Sequence, residues 1–438
     1  MPAVAPLAGV AVCAALLACS PPDREATSGL RCPDCNLLLI SIDTLRADRL
    51  GSYGYARETS PHIDRLAESG LVFRDVLAQV ASTAPSHKSI FSGRYLFQHR
   101  NDLGPLPVMA GLLKAQGYRT AAFVDGGALG AKFGMTKGFD RYVDIRRASR
   151  SAEEGLAGIN PRFIRWLEDN AASRFFAFVH SYDVHCPYTP PEPYFSMFTG
   201  DYKPGFEVED KCGLYYYNTL DLDPEAYAYI GALYDGGVRY MDERVAEILA
   251  ALERLELDQN TVIVFTSDHG ESLGERDVVG HNEVFEVQLK VPLIIRLPSR
   301  RHAVSEYPAQ LIDLLPTLAA ILGVDAPEGL PGTDLSQVLG SEVTTRLRFA
   351  QNHNSTMSAI RPDKRWSLLL RQGMPFALYD VIADPAEGTD LLAQSADVAG
   401  RLFAAYQGLR VPEGALGELP EGLDAGDLER LKALGYLE

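Results

Sequence analysis

Along most of the chain, short apolar runs alternate with stretches whose apolar residues recur every three or four positions. The runs Asn36–Ile42, Thr120–Val124, Phe175–His180, Thr261–Thr266 and Pro292–Leu297 predict strands. Helical periodicity predicts helices over Ile63–Glu68, Pro85–Phe91, Pro107–Ala115, Pro161–Asn170, Pro224–Leu255 and Ala309–Leu322. Strands alternating with helices point to an α/β sheet rather than a sandwich or a bundle. Several strands run straight into polar clusters, and in open parallel sheets ligands bind at those carboxyl ends. After about Ser341 the pattern shortens. Arg348–Gln351, Ser358–Arg361, Arg365–Leu370 and Phe376–Val381 predict strands joined by turns such as Arg361-Pro362-Asp363, followed by a closing helix over Asp424–Leu434. This stretch reads as a small antiparallel lobe packed on the main domain.

Composition narrows the class. With 438 residues, 46% apolar and 23% charged, the chain is neither disordered nor a disulfide-knotted miniprotein. Its formal charge of −17 argues against nucleic acid as a partner, because gripping a phosphate backbone needs surplus Lys and Arg. A smaller anionic substrate stays compatible, since a bound cation inverts the field locally. Residues 1–22 carry no charged side chain, and the apolar stretch from Ala3 ends in Leu16-Leu17-Ala18-Cys19. This resembles the lipobox of a bacterial lipoprotein. Residues 1–18 are then expected to be a signal peptide, Cys19 the lipidated first residue of the mature chain, and residues 19–30 a tether. The expected location is the bacterial cell envelope, exported and lipid-anchored to a membrane, facing the periplasm or the exterior. An ordinary secretory signal or a misplaced start codon are the alternatives. Of the six cysteines, Cys32, Cys35, Cys186 and Cys212 would remain as thiols, and two disulfides, Cys32–Cys35 and Cys186–Cys212, are their most economical pairing in an exported protein.

Three polar clusters carry the candidate chemistry. Asp43 follows the strand ending at Ile42, and Asp268-His269 follow the strand ending at Thr266. Two carboxylates and an imidazole at one sheet edge suit a divalent metal: zinc or manganese foremost, calcium if more oxygens join. In Thr83-Ala84-Pro85-Ser86-His87, the proline marks a first helical turn, so Thr83 is expected at a helix N-terminus, where backbone N–H groups favour an anion. A hydroxyl there, acidified by a metal, is a nucleophile for a phosphoryl or sulfuryl centre. An isolated Thr-x-Pro is usually only a helix cap, so the three clusters must be read together.

Together they resemble the sulfatase family of the alkaline phosphatase superfamily. The segments carrying the resemblance are Leu38-Leu39-Ile40-Ser41-Ile42-Asp43-Thr44-Leu45-Arg46-Ala47-Asp48, the Thr83 segment, His180-Ser181-Tyr182-Asp183-Val184-His185-Cys186-Pro187-Tyr188 and Ser267-Asp268-His269-Gly270-Glu271. The order of motifs is kept over nearly all of the chain from Asn36 onward. The resemblance implies a doubly wound, mostly parallel α/β sheet flanked by helices over residues 31–340, and a small C-terminal antiparallel lobe over residues 341–438. It makes Asp43, Asp268 and His269 metal ligands and Thr83 both a ligand and the nucleophile. His87 stands where many sulfatases carry Arg beside the reacting group, His185 would face the leaving group or the transferred oxygens, and His281 would bind the substrate oxyanion. One ion is expected rather than two; a second would have to draw on Asp183, His185 and His281.

The chain departs from the family at the nucleophile. Formylglycine-dependent members begin from Cys or Ser, whose primary carbon is oxidised to an aldehyde; threonine is a secondary alcohol and yields at most a ketone. A second departure is Asp125-Gly126-Gly127, where many sulfatases have a Lys and a His after the equivalent strand. The expected function is therefore metal-dependent hydrolysis of a phosphate ester, a diester foremost, through a covalent Thr83 intermediate. Two alternatives stay open: a sulfuric ester hydrolase without formylglycine, and an inactive surface lipoprotein that binds a ligand on this fold.

Overall fold

The computed structural model of the chain describes residues 30–145, 154–202, 204–205, 222–354 and 356–409. Eight strands form the main sheet: β1 (Asn36–Ile42), β2 (Leu71–Phe73), β3 (Arg119–Val124), β4 (Arg141–Asp144), β5 (Phe175–Ser181), β6 (Thr261–Thr266), β7 (Leu293–Arg296) and β8 (Ala303–Ser305). Their spatial order is β8-β2-β7-β6-β1-β5-β3-β4. β7 runs antiparallel to β2 and β6, and every other pairing is parallel.

β1 lies between β5 and β6 and is buried along its whole length. Its side chains alternate between the two faces. Leu37 and Leu39 join a core with Phe176, Phe178, Val262 and Val264, whereas Leu38, Ile40 and Ile42 join a second core with Ala177, Val179, Ile263 and Phe265. Helices α2 (Thr83–Ser92), α3 (Met109–Ala115) and α6 (Leu314–Leu322) pack into the first core. Helices α1 (Pro61–Glu68), α4 (Gly155–Asn170) and α5 (Pro224–Arg254) pack into the second. The sheet is doubly wound, and a central strand covered on both faces is apolar at successive positions for that reason.

Beyond it, β9 (Arg348–Gln351), β10 (Met357–Arg361), β11 (Trp366–Arg371) and β12 (Met374–Asp380) form a four-stranded antiparallel sheet in chain order. Helix α7 (Ala396–Gly408) packs on it through Ala399 and Leu402. The small sheet is stitched to the main domain beside α2, where Gln351 N–H donates to the Gln79 carbonyl at 2.9 Å and Val80 bridges Gln351.

The strand ends differ from expectation where elements are short. β2, β4 and β8 have three or four residues, too few for a periodic signal, and none was expected. The helix expected from Ala309 starts at Leu314, because Ala309 and Gln310 pair with Val76 and Leu77. The closing helix expected over Asp424–Leu434 and the signal and tether lie outside the described residues. Among the described residues, no helix is long and apolar enough to cross a membrane.

Candidate active site

The topology converges three segments on one carboxyl edge. Ser41 of β1 pairs with both His180 of β5 and Thr266 of β6, so Asp43 emerges between the residues that follow those strands. Asp43 N–H donates to the Ser181 carbonyl at 2.9 Å, and Leu45 N–H donates to Ser267 Oγ at 3.0 Å. Helix α2 aims its first turn at the same edge. All ten of its residues are buried although most are polar, and Gly93 closes it in the left-handed region at φ 65°. A helix of that composition buries itself only if its polar side chains are satisfied by something other than water. Ser86 Oγ donates to the Asp268 carbonyl at 2.7 Å, which locks the helix to the loop after β6.

Thr83 sits in the first turn, with its Oγ1 donating to Asp43 Oδ2 at 2.9 Å. The ligand atoms of Asp43, Asp268 and His269 lie within 4.8 Å of one another. His269 Nε2 is 3.5 Å from Asp268 Oδ2 and 3.9 Å from Asp43 Oδ1. Its Nδ1 lies 3.0 Å from the Gly270 carbonyl, which can only accept, so Nδ1 carries the proton and Nε2 presents a lone pair. Asp43 Oδ1, Asp268 Oδ2 and His269 Nε2 are all buried and make no hydrogen bond. Three converging lone-pair donors left unsatisfied in a protein interior are what a bound cation compensates, and the residues present fit a divalent metal.

The surrounding imidazoles do not supply the missing positive charge. Burial pushes His87 down to about 3 and His180 down to about 4, in both cases against the favourable charge of Asp268. Burial also pushes His281 well below the ordinary histidine value, helped by His269 and His185. Burial, then the neighbouring Asp43 charge, raises Asp268. The same two causes hold Glu271 well above the carboxylate range, while the Tyr188 and Thr44 hydroxyls oppose them.

The structure places the other expected residues as follows. His87 lies against the helix it belongs to: Nδ1 donates to the Thr83 carbonyl at 2.8 Å, and Nε2 accepts from Ser41 Oγ at 3.0 Å. It holds the backbone that presents Thr83. His87, His180 and Asp268 also bring ligand atoms within 4.8 Å, but His87 Nδ1 is committed as a donor. His185 and His281 meet through their Nε2 atoms at 3.2 Å; the His185 Nδ1 proton goes to the Cys186 carbonyl at 2.6 Å, so its Nε2 is the acceptor. Asp183 accepts from Ser181 Oγ at 2.6 Å and Leu156 N–H at 2.9 Å, which commits it to the start of α4. Cys32 and Cys35 form a disulfide. Cys186 is disulfide-bonded, and its expected partner Cys212 lies outside the described residues, as does Cys19.

Two residues of the site were given no role by sequence, although both fall in the segment His180–Tyr188. His180 Nε2 donates to Asp43 Oδ2 at 3.2 Å. It is a polar residue on the face of β5 that otherwise carries Phe176 and Phe178. Tyr182 packs edge-on between His180 and His185, at ring separations of 4.9 and 5.3 Å.

This arrangement can be set beside known proteins. A family profile described as Sulfatase matches residues 35–324, from the start of β1 to just past α6. The chain belongs to the sulfatase family. An ulvan-active sulfatase of Formosa agariphila is 25% identical over 413 residues, covering 82% of this chain and 77% of that one. A multifunctional alkaline phosphatase superfamily protein of Trinickia caryophylli is 23% identical, covering 83% and 92%. Among solved structures, the phosphonate monoester hydrolase of Agrobacterium radiobacter superposes with a TM-score of 0.72 at 23% identity, covering 87% of this chain and 96% of that chain. Sulfatase-family membership makes this protein a hydrolase acting on ester bonds, built on the alkaline phosphatase-like fold.

Proposed function

We propose that the protein hydrolyses a phosphate ester, a diester foremost, with Thr83 as the covalent nucleophile. The observation that carries this reading is the Thr83 Oγ1 to Asp43 Oδ2 hydrogen bond of 2.9 Å, on the first turn of a buried helix and beside three unsatisfied metal-ligating atoms. Threonine cannot follow the aldehyde route, so its hydroxyl must act as it stands. Asp43, Asp268, His269 and Thr83 would hold one divalent ion, zinc or manganese before calcium. When bound, that ion supplies a Lewis acid that acidifies the Thr83 hydroxyl and offsets charge on the substrate oxygens. The chain's own groups do the rest. Asp43 Oδ2 orients the hydroxyl, His87 fixes the turn that carries it, and His185 with His281 offers imidazoles toward the leaving group.

Hydrolysis of a sulfuric ester by the same threonine is the second reading, favoured by the name of the family and by the sulfatases among the relatives. Turnover of bis(p-nitrophenyl) phosphate and p-nitrophenyl sulfate on one metal-loaded preparation separates the two. Phosphodiester turnover that disappears in Thr83→Ala is the expected result, and unchanged turnover in that variant overturns the nucleophile assignment. Metal analysis addresses the ligand-binding alternative, since a chain that takes up no divalent ion and gains no activity from any would be inactive. The envelope location is part of the proposal, supported by the Cys32–Cys35 disulfide. A diacylglyceryl adduct on Cys19 in the mass of the mature protein is the result that would establish the anchor.

A further inference from the structure

A cavity of about 630 Å³ lies between α1, α5 and the end of β7, and Arg296, the last residue of β7, lines it. Arg296 pairs in register with Ile263, near the start of β6, whereas Asp268 and His269 follow the other end of that strand. The cavity is therefore at the edge of the sheet opposite the Asp43 site. Side chains alternate along β7, so Arg296 shares the face of Ile294, which belongs to the core under α1 and α5.

Arg296 is only 4% exposed. Its Nε is enclosed with no hydrogen-bond partner, and among the described residues its guanidinium forms no ion pair. The other buried arginines among the described residues are Arg46, Arg348 and Arg361, and each holds a carboxylate, at 2.7, 2.8 and 3.0 Å. A cation withdrawn from water without a partner is costly. The carboxylates nearby do not supply one. Asp258 accepts from Arg300 Nη2 at 2.7 Å, and Glu68 and Glu253, which also line the cavity, are exposed residues. Burial holds Arg296 below the ordinary arginine value and Arg300 adds to that, so the opposing charges of Asp258 and Glu253 do not offset burial. Arg65 and Arg300 line the same cavity, and Arg65 Nη2 meets His62 Nδ1, on an imidazole that burial keeps below its ordinary value.

We infer that this cavity is a second anion site that binds a phosphate or sulfate monoester, with Arg296 as its buried anchor and Arg65 and Arg300 beside it. Guanidinium forks match the oxygens of such esters in pairs, and three free oxygens let one ester meet more than one arginine, which a two-oxygen carboxylate does less well. The volume leaves room for the esterified organic group. The site does not depend on the reading of Thr83.

Equilibrium dialysis of phenylphosphonate, a tetrahedral anion with no ester bond to cleave, against the metal-loaded full chain at fixed ionic strength tests this. The unsubstituted protein should bind about one equivalent more than Arg296→Met, since any binding at the carboxyl edge is common to both. Phosphodiester turnover of the variant should stay within about twofold, because the cavity is remote from the site at that edge. Inorganic phosphate and sulfate should displace the extra equivalent, and acetate at equal concentration should not. Equal binding by the two proteins overturns the site, and displacement by acetate overturns the ligand class. Should Arg296→Met fold poorly, hydrogen exchange of the unsubstituted protein decides. Protection over residues 62–69 and 246–253 on adding phenylphosphonate supports the site, and protection confined to the carboxyl edge, or none, overturns it.

Discussion

The carboxyl edge of the main sheet and the seam with the small C-terminal sheet both bury charged side chains, and they treat them in opposite ways. At the seam, Arg348 Nη1 meets Asp75 Oδ1 at 2.8 Å, and Arg346 grips both oxygens of Asp313 at 2.6 and 2.8 Å. Arg361 spans Glu286 and Glu387, the latter at 3.0 Å. Each guanidinium has a carboxylate in hydrogen-bonding geometry. At the sheet edge, Asp43 and Asp268 face imidazoles that burial keeps neutral, and lone pairs on Asp43, Asp268 and His269 have no hydrogen bond. Paired charges join two parts of a fold, and three converging unsatisfied ligand atoms on one edge suit a bound cation.

That contrast can be broken at several points. The largest effect is expected for Thr83→Ala, which should lower phosphodiester turnover by about a thousandfold or more, with little change in melting temperature. Arg348→Met should do the reverse. Stranding buried Asp75 should cost about 3–5 kcal/mol in denaturant titrations, while kcat per folded molecule stays within about twofold. Adding Asp75→Leu should recover most of that stability, and a double variant as weak as the single would show that the pair is not what joins the lobes. Next in size, Asp268→Asn should cut metal content from about one ion per chain to near none, and should raise the melting temperature of the metal-free protein by about 2–5 °C by relieving its repulsion with Asp43. A metal-free variant that melts lower would mean that the edge is not strained.

The smallest effect sharpens the middle ground. Lys88 is buried with no carboxylate bonded to it; its Nζ donates to the Asn101 carbonyl and to Asn101 Oδ1 at 2.6 and 3.0 Å. Burial lowers it to about 8, against the favourable charge of Asp102. Between pH 8 and 10.5 the unfolded chain therefore binds more protons at this site than the folded one, so the stability cost contributed by Lys88 falls through that window. Lys88→Met should be the more stable protein at pH 7, and its advantage should shrink as pH rises from 8 to 10.5. An advantage that grows with pH would contradict the assigned direction.

Much of this was legible because the relevant signals are local. An apolar run that ends in Asp43, or in Asp268-His269, says where a carboxylate leaves a strand, and a proline two residues after Thr83 says where a helix begins. The antiparallel direction of β7 was not legible, since its apolar run looks the same either way. Nor was the work of His87. A motif position suggested a side chain next to the reacting group, and its Nδ1 lies 3.5 Å from Asp268 Oδ2; what the motif did not show are its hydrogen bonds to Ser41 Oγ and to the Thr83 carbonyl of its own helix.

By itself the sequence determined the α/β alternation, the carboxylates and imidazole delivered at strand ends, and a threonine in the first turn of α2 that cannot become an aldehyde, because each follows from residue type and a few neighbours. Tertiary structure alone decided that β1 lies between β5 and β6, and hence that His180 reaches Asp43. It likewise decided that Gly127, after β3, leaves room for the Tyr182 hydroxyl, and that the buried charges at the seam are paired. Those outcomes depend on strand order, register and the direction of a side chain against elements distant in sequence, and no local pattern of residues encodes them.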